Sequence, residues 1–166
     1  MVRYMIFVCS CLLGDKTKYN GSSNANDLLM DYNFYGCFLS GCPECSGKLP
    51  IPRPRMEIQG GTSEDVLQGT ASIVNVEGQD VTKNVLSGCR TLLDVVKSYG
   101  VKYAFLKDGS PTCGVREVHD GTFSRTKIPG CGVFAQLLKQ NGIKLYSERD
   151  VSVRLLEQLI AEDQKG

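Results

Sequence analysis

Residues 81–108 read VTKNVLSGCRTLLDVVKSYGVKYAFLKD, and the fold class turns on them. Val85, Cys89, Leu92, Val96 and Tyr99 recur at helical spacing, so one face of the stretch is apolar. Asp80 or Thr82 stands at its start and Gly100 at its end, where a residue free to turn left-handed stops a helix. A helix is therefore expected from about Val81 to Tyr99. The next segment, YAFLKD at 103–108, is short, largely apolar and aromatic, and reads as a strand.

The same alternation extends in both directions. YMIFVC at 4–9 is a continuous apolar run, the mark of a strand buried on both faces. SCLLGDKTKYNG follows as a loop ending in the turn Asn20-Gly21. Residues 23–33 suit a helix capped by Asn24 or Asn26, with Leu28, Leu29 and Tyr32 as its apolar stripe. FYGCFLSGC at 34–42 reads as a second strand, and KLPIPRPR, with prolines at 50, 52 and 54, as a stiff extended segment. ASIVNV at 71–76 is a third strand. GVFAQLLKQNG at 132–142 is a short helix, IKLYS at 143–147 a strand, and VSVRLLEQLIAED the last helix. Strands alternating with helices predict an α/β chain: a three-layer, Rossmann-like single domain over residues 1–166 with a largely parallel sheet.

Composition narrows the partners. Nineteen Lys and Arg against eighteen Asp and Glu leave a net charge of +1, too little for a strong grip on a nucleic-acid backbone. A nucleobase or nucleotide as a small ligand is still compatible with it. No apolar stretch approaches the roughly 20 residues that span a bilayer, and MVRYMIFVCSCLLG reads as a first strand rather than a signal peptide. No membrane association is expected, and a cytoplasmic location is. There, eight cysteines are poor candidates for disulfides, which leaves metal ligation, catalysis or burial. Nothing in the pattern sets an oligomeric state.

In a parallel sheet, ligands gather beyond the carboxyl ends of the strands. Three cysteine-bearing loops belong there: CLLG with Cys11, GCPE with Cys42 and GSPTCG with Cys113. Four uses of the thiols compete. Cys89 on the helix stripe and Cys37 within a strand suit plain burial. Cys9, Cys11, Cys42 and Cys45 could form a zinc site, since CPEC has knuckle spacing. Cys42 and Cys45 could be a redox pair, although that motif wants a helix opening at the first cysteine. Cys11, Cys42 and Cys113 could hold an iron–sulfur cluster with three thiolates, leaving one iron open to substrate. Spacing does not choose between zinc and the cluster.

A resemblance does. CLLGDKTKYNG, CPECSGKLPIPRPRMEIQGG, GQDVT, LKDGSPTCG, DGTFS and PGCGVFAQLLKQNGIKLYSE, in this order and spacing, resemble the thiouracil desulfidase family from about residue 5 to 148. The resemblance implies a [4Fe–4S] cluster on Cys11, Cys42 and Cys113, with a catalytic carboxylate at Glu44 and a serine at Ser110. It implies removal of sulfur from a small thiolated pyrimidine, 2- or 4-thiouracil or its nucleotide, with release of hydrogen sulfide. The chain departs from the family at Asn20, Cys45, Ser46, Arg55 and Cys131.

Lesser sites are expected too. Arg53 and Lys107 are candidate contacts for a ring carbonyl or phosphate, with a solvated loop charge as the alternative. PGCGV opens a helix, whose N-terminus could attract phosphate but more simply makes a turn. His119, the one histidine, reads as structural. The rival functions are a zinc-stabilised binding module built on CPEC and a redox sensor using the thiols or a cluster.

Overall fold

The computed structural model describes residues 6–34, 36 and 38–165. The elements run β1 (Ile6–Cys9), a 3₁₀ turn (Ser10–Leu13), α1 (Asp27–Asn33), β2 (Phe38–Gly41) and α2 (Pro43–Ser46). There follow β3 (Met56–Gln59), α3 (Ser63–Gln68), β4 (Ser72–Asn75), α4 (Thr82–Ser98) and β5 (Tyr103–Leu106). The chain continues through β6 (Glu117–His119), β7 (Lys127–Pro129), α5 (Val133–Gln140), β8 (Lys144–Ser147), a second 3₁₀ turn (Glu148–Asp150) and α6 (Val153–Lys165).

β2, β1, β5 and β8 form, in that order, a four-stranded parallel sheet, as the alternating pattern predicts. β1 is central, pairing Cys9 with Gly41 on one side and Val8 with Phe105 on the other. All four of its residues are buried, so both faces of the sheet are covered. Phe7 meets Phe134 of α5 edge to face, with centroids 5.6 Å apart. α4 buries Val85, Cys89, Leu92 and Val96, the stripe read from its periodicity. Full burial of a Val or Leu side chain contributes about 1.5–3 kcal/mol. The fifth stripe residue, Tyr99, is the C-cap and stands partly exposed.

The structure differs from expectation in four places. β4, expected in the main sheet, pairs antiparallel with β3 in a separate two-stranded ribbon. β3 itself follows the proline segment, and the hairpin β6–β7 adds a second two-stranded sheet. Phe34 ends α1 rather than opening β2, because its N–H donates to Met30 O. A one-turn helix, α2, does open at CPEC, with Cys42 as its N-cap. Of the two proposed caps for α1, Asn26 is the one, its side chain accepting from Leu29 N. Cys37 and residues 4 and 5 of the first predicted strand lie outside the described residues.

Close packing of α2 on α4 sets the site. A Cβ on Gly88 of α4 would stand 1.8 Å from Pro43 O, and one on Gly47 would stand 2.0 Å from Asn84 O. Only glycines let the two backbones meet, and Asn84 Nδ2 then donates to Gly47 O at 2.9 Å. α2 is thereby fixed at the carboxyl end of β2.

Candidate active site

A cavity of about 310 Å³ opens at the carboxyl ends of β1, β2 and β5. Cys11, Cys42 and Cys113 all line it, together with Glu44, Ser110, Arg53 and Lys107. It lies where the strand order reverses between β1 and β5, the usual ligand position of such sheets.

Each of the three cysteines is placed by a different local device. Cys11 sits in the 3₁₀ turn after β1, and Asn24 Nδ2 donates to its sulfur at 3.6 Å. Cys42 follows β2 directly and caps α2. Cys113 lies in the loop after β5, which the buried Asp108 carboxylate folds upon itself. Asp108 Oδ1 accepts the backbone N–H groups of Gly109, Val115, Arg116 and Glu117 at 3.0–3.2 Å. Burial raises the Asp108 carboxyl, and these donors outweigh it, holding it below the usual aspartate range.

The same loop uses the first turn of α5. Gly132 N donates to Gly114 O, Val133 N to Pro111 O, and Phe134 N to Thr112 O. A Cβ on Gly132 would lie 2.3 Å from the Thr112 carbonyl carbon. The PGCGV turn therefore docks the SPTCG loop; its N–H groups are spent on that loop rather than on a phosphate.

Burial is the largest influence on Cys11 and Cys42. It pushes Cys11 up to about 12, helped by neighbouring Cys9 and opposed by the Asn24 amide and Lys107. It pushes Cys42 up to about 12, opposed by a hydrogen bond from the Cys45 backbone. Cys113 is raised well above the ordinary range by its hydrogen bond with Cys9 and by burial. Such thiols give up their protons to a metal group that supplies the missing positive charge.

The donor set fits a cluster better than a single ion. Three soft sulfurs, from three separated loops, border one shared cavity. Among the described residues, no three His, Cys, Asp or Glu side chains are gathered closely enough to hold one metal ion. The knuckle set of Cys9, Cys11, Cys42 and Cys45 is thus not assembled. Cys45 does not line the cavity; its sulfur lies 3.9 Å from Thr17 O and 4.0 Å from Arg53 Nη1.

Glu44 is held from two sides. Arg53 Nε donates to Glu44 Oε1 at 2.9 Å, with Nη2 ion-paired to the same oxygen at 2.9 Å, and Thr112 Oγ1 donates to Oε2 at 2.9 Å. Burial opposes the Arg53 charge, but the Glu44 carboxylate beside it prevails, and the guanidinium is held above its ordinary range. Ser110 Oγ accepts from Thr112 N at 3.0 Å and Cys113 N at 3.1 Å.

Lys107 borders the cavity, but its ammonium donates to Asp108 O at 3.0 Å and Glu148 Oε1 at 3.2 Å. Arg53 also borders it, with its guanidinium turned to Glu44, Pro50 O and Thr17 O. Cys89 is fully buried on α4. Cys131 pairs with Ser63 Oγ and Gln136 Oε1, away from the cavity. His119 Nδ1 lies 3.0 Å from Gly109 O; a carbonyl only accepts, so that nitrogen carries the proton. Sequence reading missed Thr112 and the role of Asn24 beside Cys11. Thr112 stands within SPTCG, but its partner is 68 positions away.

Comparison with known proteins finds relatives over nearly the whole chain. The sequence model of the 2-thiouracil desulfurase family matches residues 6–150. A Bacillus subtilis (strain 168) protein, YbbK, described as uncharacterized, is 42% identical over 148 residues, covering 89% of this chain and 98% of its own length. The solved structure of a [4Fe–4S]-dependent thiouracil desulfidase, TudS, aligns with a TM-score of 0.82 and 32% identity. That match covers 96% of this chain and 99% of TudS.

Proposed function

The chain belongs to the 2-thiouracil desulfurase family, and from that membership we propose how its own side chains divide the work of removing sulfur from a thiolated uracil. It is a [4Fe–4S]-dependent thiouracil desulfidase. Cys11, Cys42 and Cys113 would hold the cluster, and the observation carrying this assignment is that all three line one cavity with Glu44. When bound, a cluster with three protein thiolates supplies an iron without a protein ligand, a soft Lewis acid suited to a thiocarbonyl sulfur.

The protein side chains do the rest. Overall, thiouracil and water give uracil and hydrogen sulfide. Glu44 takes a proton from the water whose oxygen adds to the thiocarbonyl carbon. The new C–O bond forms as the C=S π pair moves onto sulfur. The C–S bond then breaks as the added hydroxyl oxygen closes to C=O; the proton held by Glu44 goes to the departing sulfur, the hydroxyl proton follows it there, and hydrogen sulfide leaves with Glu44 ionised again. Ser110 acts as a donor in this scheme. Its oxygen already accepts two backbone N–H groups, so its own proton is what it offers to the cavity. Arg53 is held on Glu44, Pro50 O and Thr17 O, whereas Lys107, with two of its three N–H groups on Asp108 O and Glu148, keeps one to offer the pyrimidine from the cavity wall.

The test is sulfide release from 2- and 4-thiouracil by protein prepared without oxygen, alongside Glu44→Gln. The mechanism expects sulfide and uracil in equal amounts, with the variant slowed about 10²-fold or more. Full activity in Glu44→Gln would remove the carboxylate from the reaction.

A further inference from the structure

We propose that Thr112 and Arg53 are positioning residues that hold the Glu44 carboxylate, one on each of its oxygens, in the orientation from which it takes the proton. The inference rests on the reading of Glu44 as the base.

Thr112 is 0% exposed and does not border the cavity, so it has no route to substrate. Its hydroxyl nevertheless donates to Glu44 Oε2 at 2.9 Å. Arg53 has little freedom of its own. Nη1 donates to Pro50 O at 3.2 Å, Nη2 to Thr17 O at 2.8 Å, and its backbone N–H to Tyr19 O at 2.7 Å. Nε donates to Glu44 Oε1, with Nη2 ion-paired to the same oxygen at 2.9 Å. Each carboxylate oxygen therefore accepts from a different segment of the chain. The two holds together fix how the carboxylate is turned.

Glu44 needs this because it stands on a one-turn helix, which gives its side chain no helical neighbour to pack against. The two holders come from different segments. Arg53 belongs to the proline stretch, and Thr112 to the loop that carries Cys113. Thr112 thus ties the third cysteine's loop to the second cysteine's helix through the carboxylate between them.

Thr112→Val keeps the side-chain shape and removes the hydroxyl. The proposal expects kcat to fall about 10- to 100-fold, the effect of a displaced catalytic group, with KM and iron content unchanged. Thr112→Ser should recover most of the rate. In a Glu44→Gln background, Thr112→Val should cause no further loss, since both act on one step. Full kcat in Thr112→Val overturns the proposal. So does a variant that loses its iron, or one that adds its whole effect on top of Glu44→Gln. Arg53→Lys, which cannot bridge the same oxygens, should slow turnover likewise, and full kcat there removes Arg53 from the clamp. If Glu44→Gln alone retains full activity, the reading of the base has failed; if it is slow while Thr112→Val is not, only the positioning has.

Discussion

The Cys9 sulfur donates to the Cys113 sulfur across 3.3 Å, and both side chains border the same cavity. Cys9 is the last residue of β1, and its backbone is fixed opposite Gly41. Sulfurs so close would not serve separate corners of one inorganic core; with Cys113 as the proposed ligand, Cys9 would act as its hydrogen-bond donor. Hydrogen bonds to cluster sulfurs help set the potential and stability of such centres.

Cys9→Ser should therefore retain its iron, because a hydroxyl can replace the donor. Cys113→Ala should lose nearly all of it. Iron analysis of both proteins, prepared without oxygen, checks this. Equal loss in the two would make Cys9 a ligand in its own right.

Ser110→Ala separates chemistry from assembly. The serine lies outside the proposed ligand set, and its oxygen accepts the N–H groups of Thr112 and Cys113. Iron content should stay near that of the parent while kcat falls about 10²-fold, the scale of a lost proton donor. Steady-state sulfide release measures it. An unchanged rate would return Ser110 to a purely local role in its turn.

Gly88→Ala tests how α2 is seated. The added carbon would fall 1.8 Å from Pro43 O, a contact backbone cannot absorb without moving. Destabilisation of about 1–3 kcal/mol or more is expected from such overpacking, together with loss of iron as Cys42 shifts. Urea denaturation and iron analysis report the two effects. A variant as stable as the parent would mean that α2 has another way to lie on α4.

Asp108 gives a pH dependence with a defined sign. Its carboxyl is held below the ordinary value of 3.8 by four backbone donors that outweigh burial. A lowered folded value means that the ionised form favours folding. That stability is present above 3.8 and is lost progressively as pH falls below it. The advantage of the parent over Asp108→Asn in urea melts should be constant near neutrality and shrink in acid. An advantage that grew on acidification would contradict the loop's dependence on this carboxylate.

Long, strongly patterned elements were legible in the sequence. The α4 stripe, the apolar run of β1 and the β5 segment each carry a periodicity that burial alone explains. What escaped had no period to show. α2 is a single turn, too short for an amphipathic face. β7 is exposed along all three residues, so nothing apolar marks it. β3 follows directly on a proline stretch that reads as extended coil, and its partner β4 then looked like a member of the main sheet. At the site, the strand-end cysteines and Glu44 could be placed from loops and resemblance. The Thr112 hydroxyl on Glu44 and the Asn24 amide on Cys11 could not. Each is a single hydrogen bond between segments distant in the chain, which only the folded geometry brings together.

The most direct measurement is iron and acid-labile sulfide per chain, on protein reconstituted without oxygen, for the parent and the single alanine variants of Cys11, Cys42, Cys113 and Cys45. A cluster of the kind named for TudS predicts about four irons in the parent and in Cys45→Ala. It predicts little or none in the other three. Full iron in any of those three, or its loss in Cys45→Ala, would contradict the assignment of the ligands.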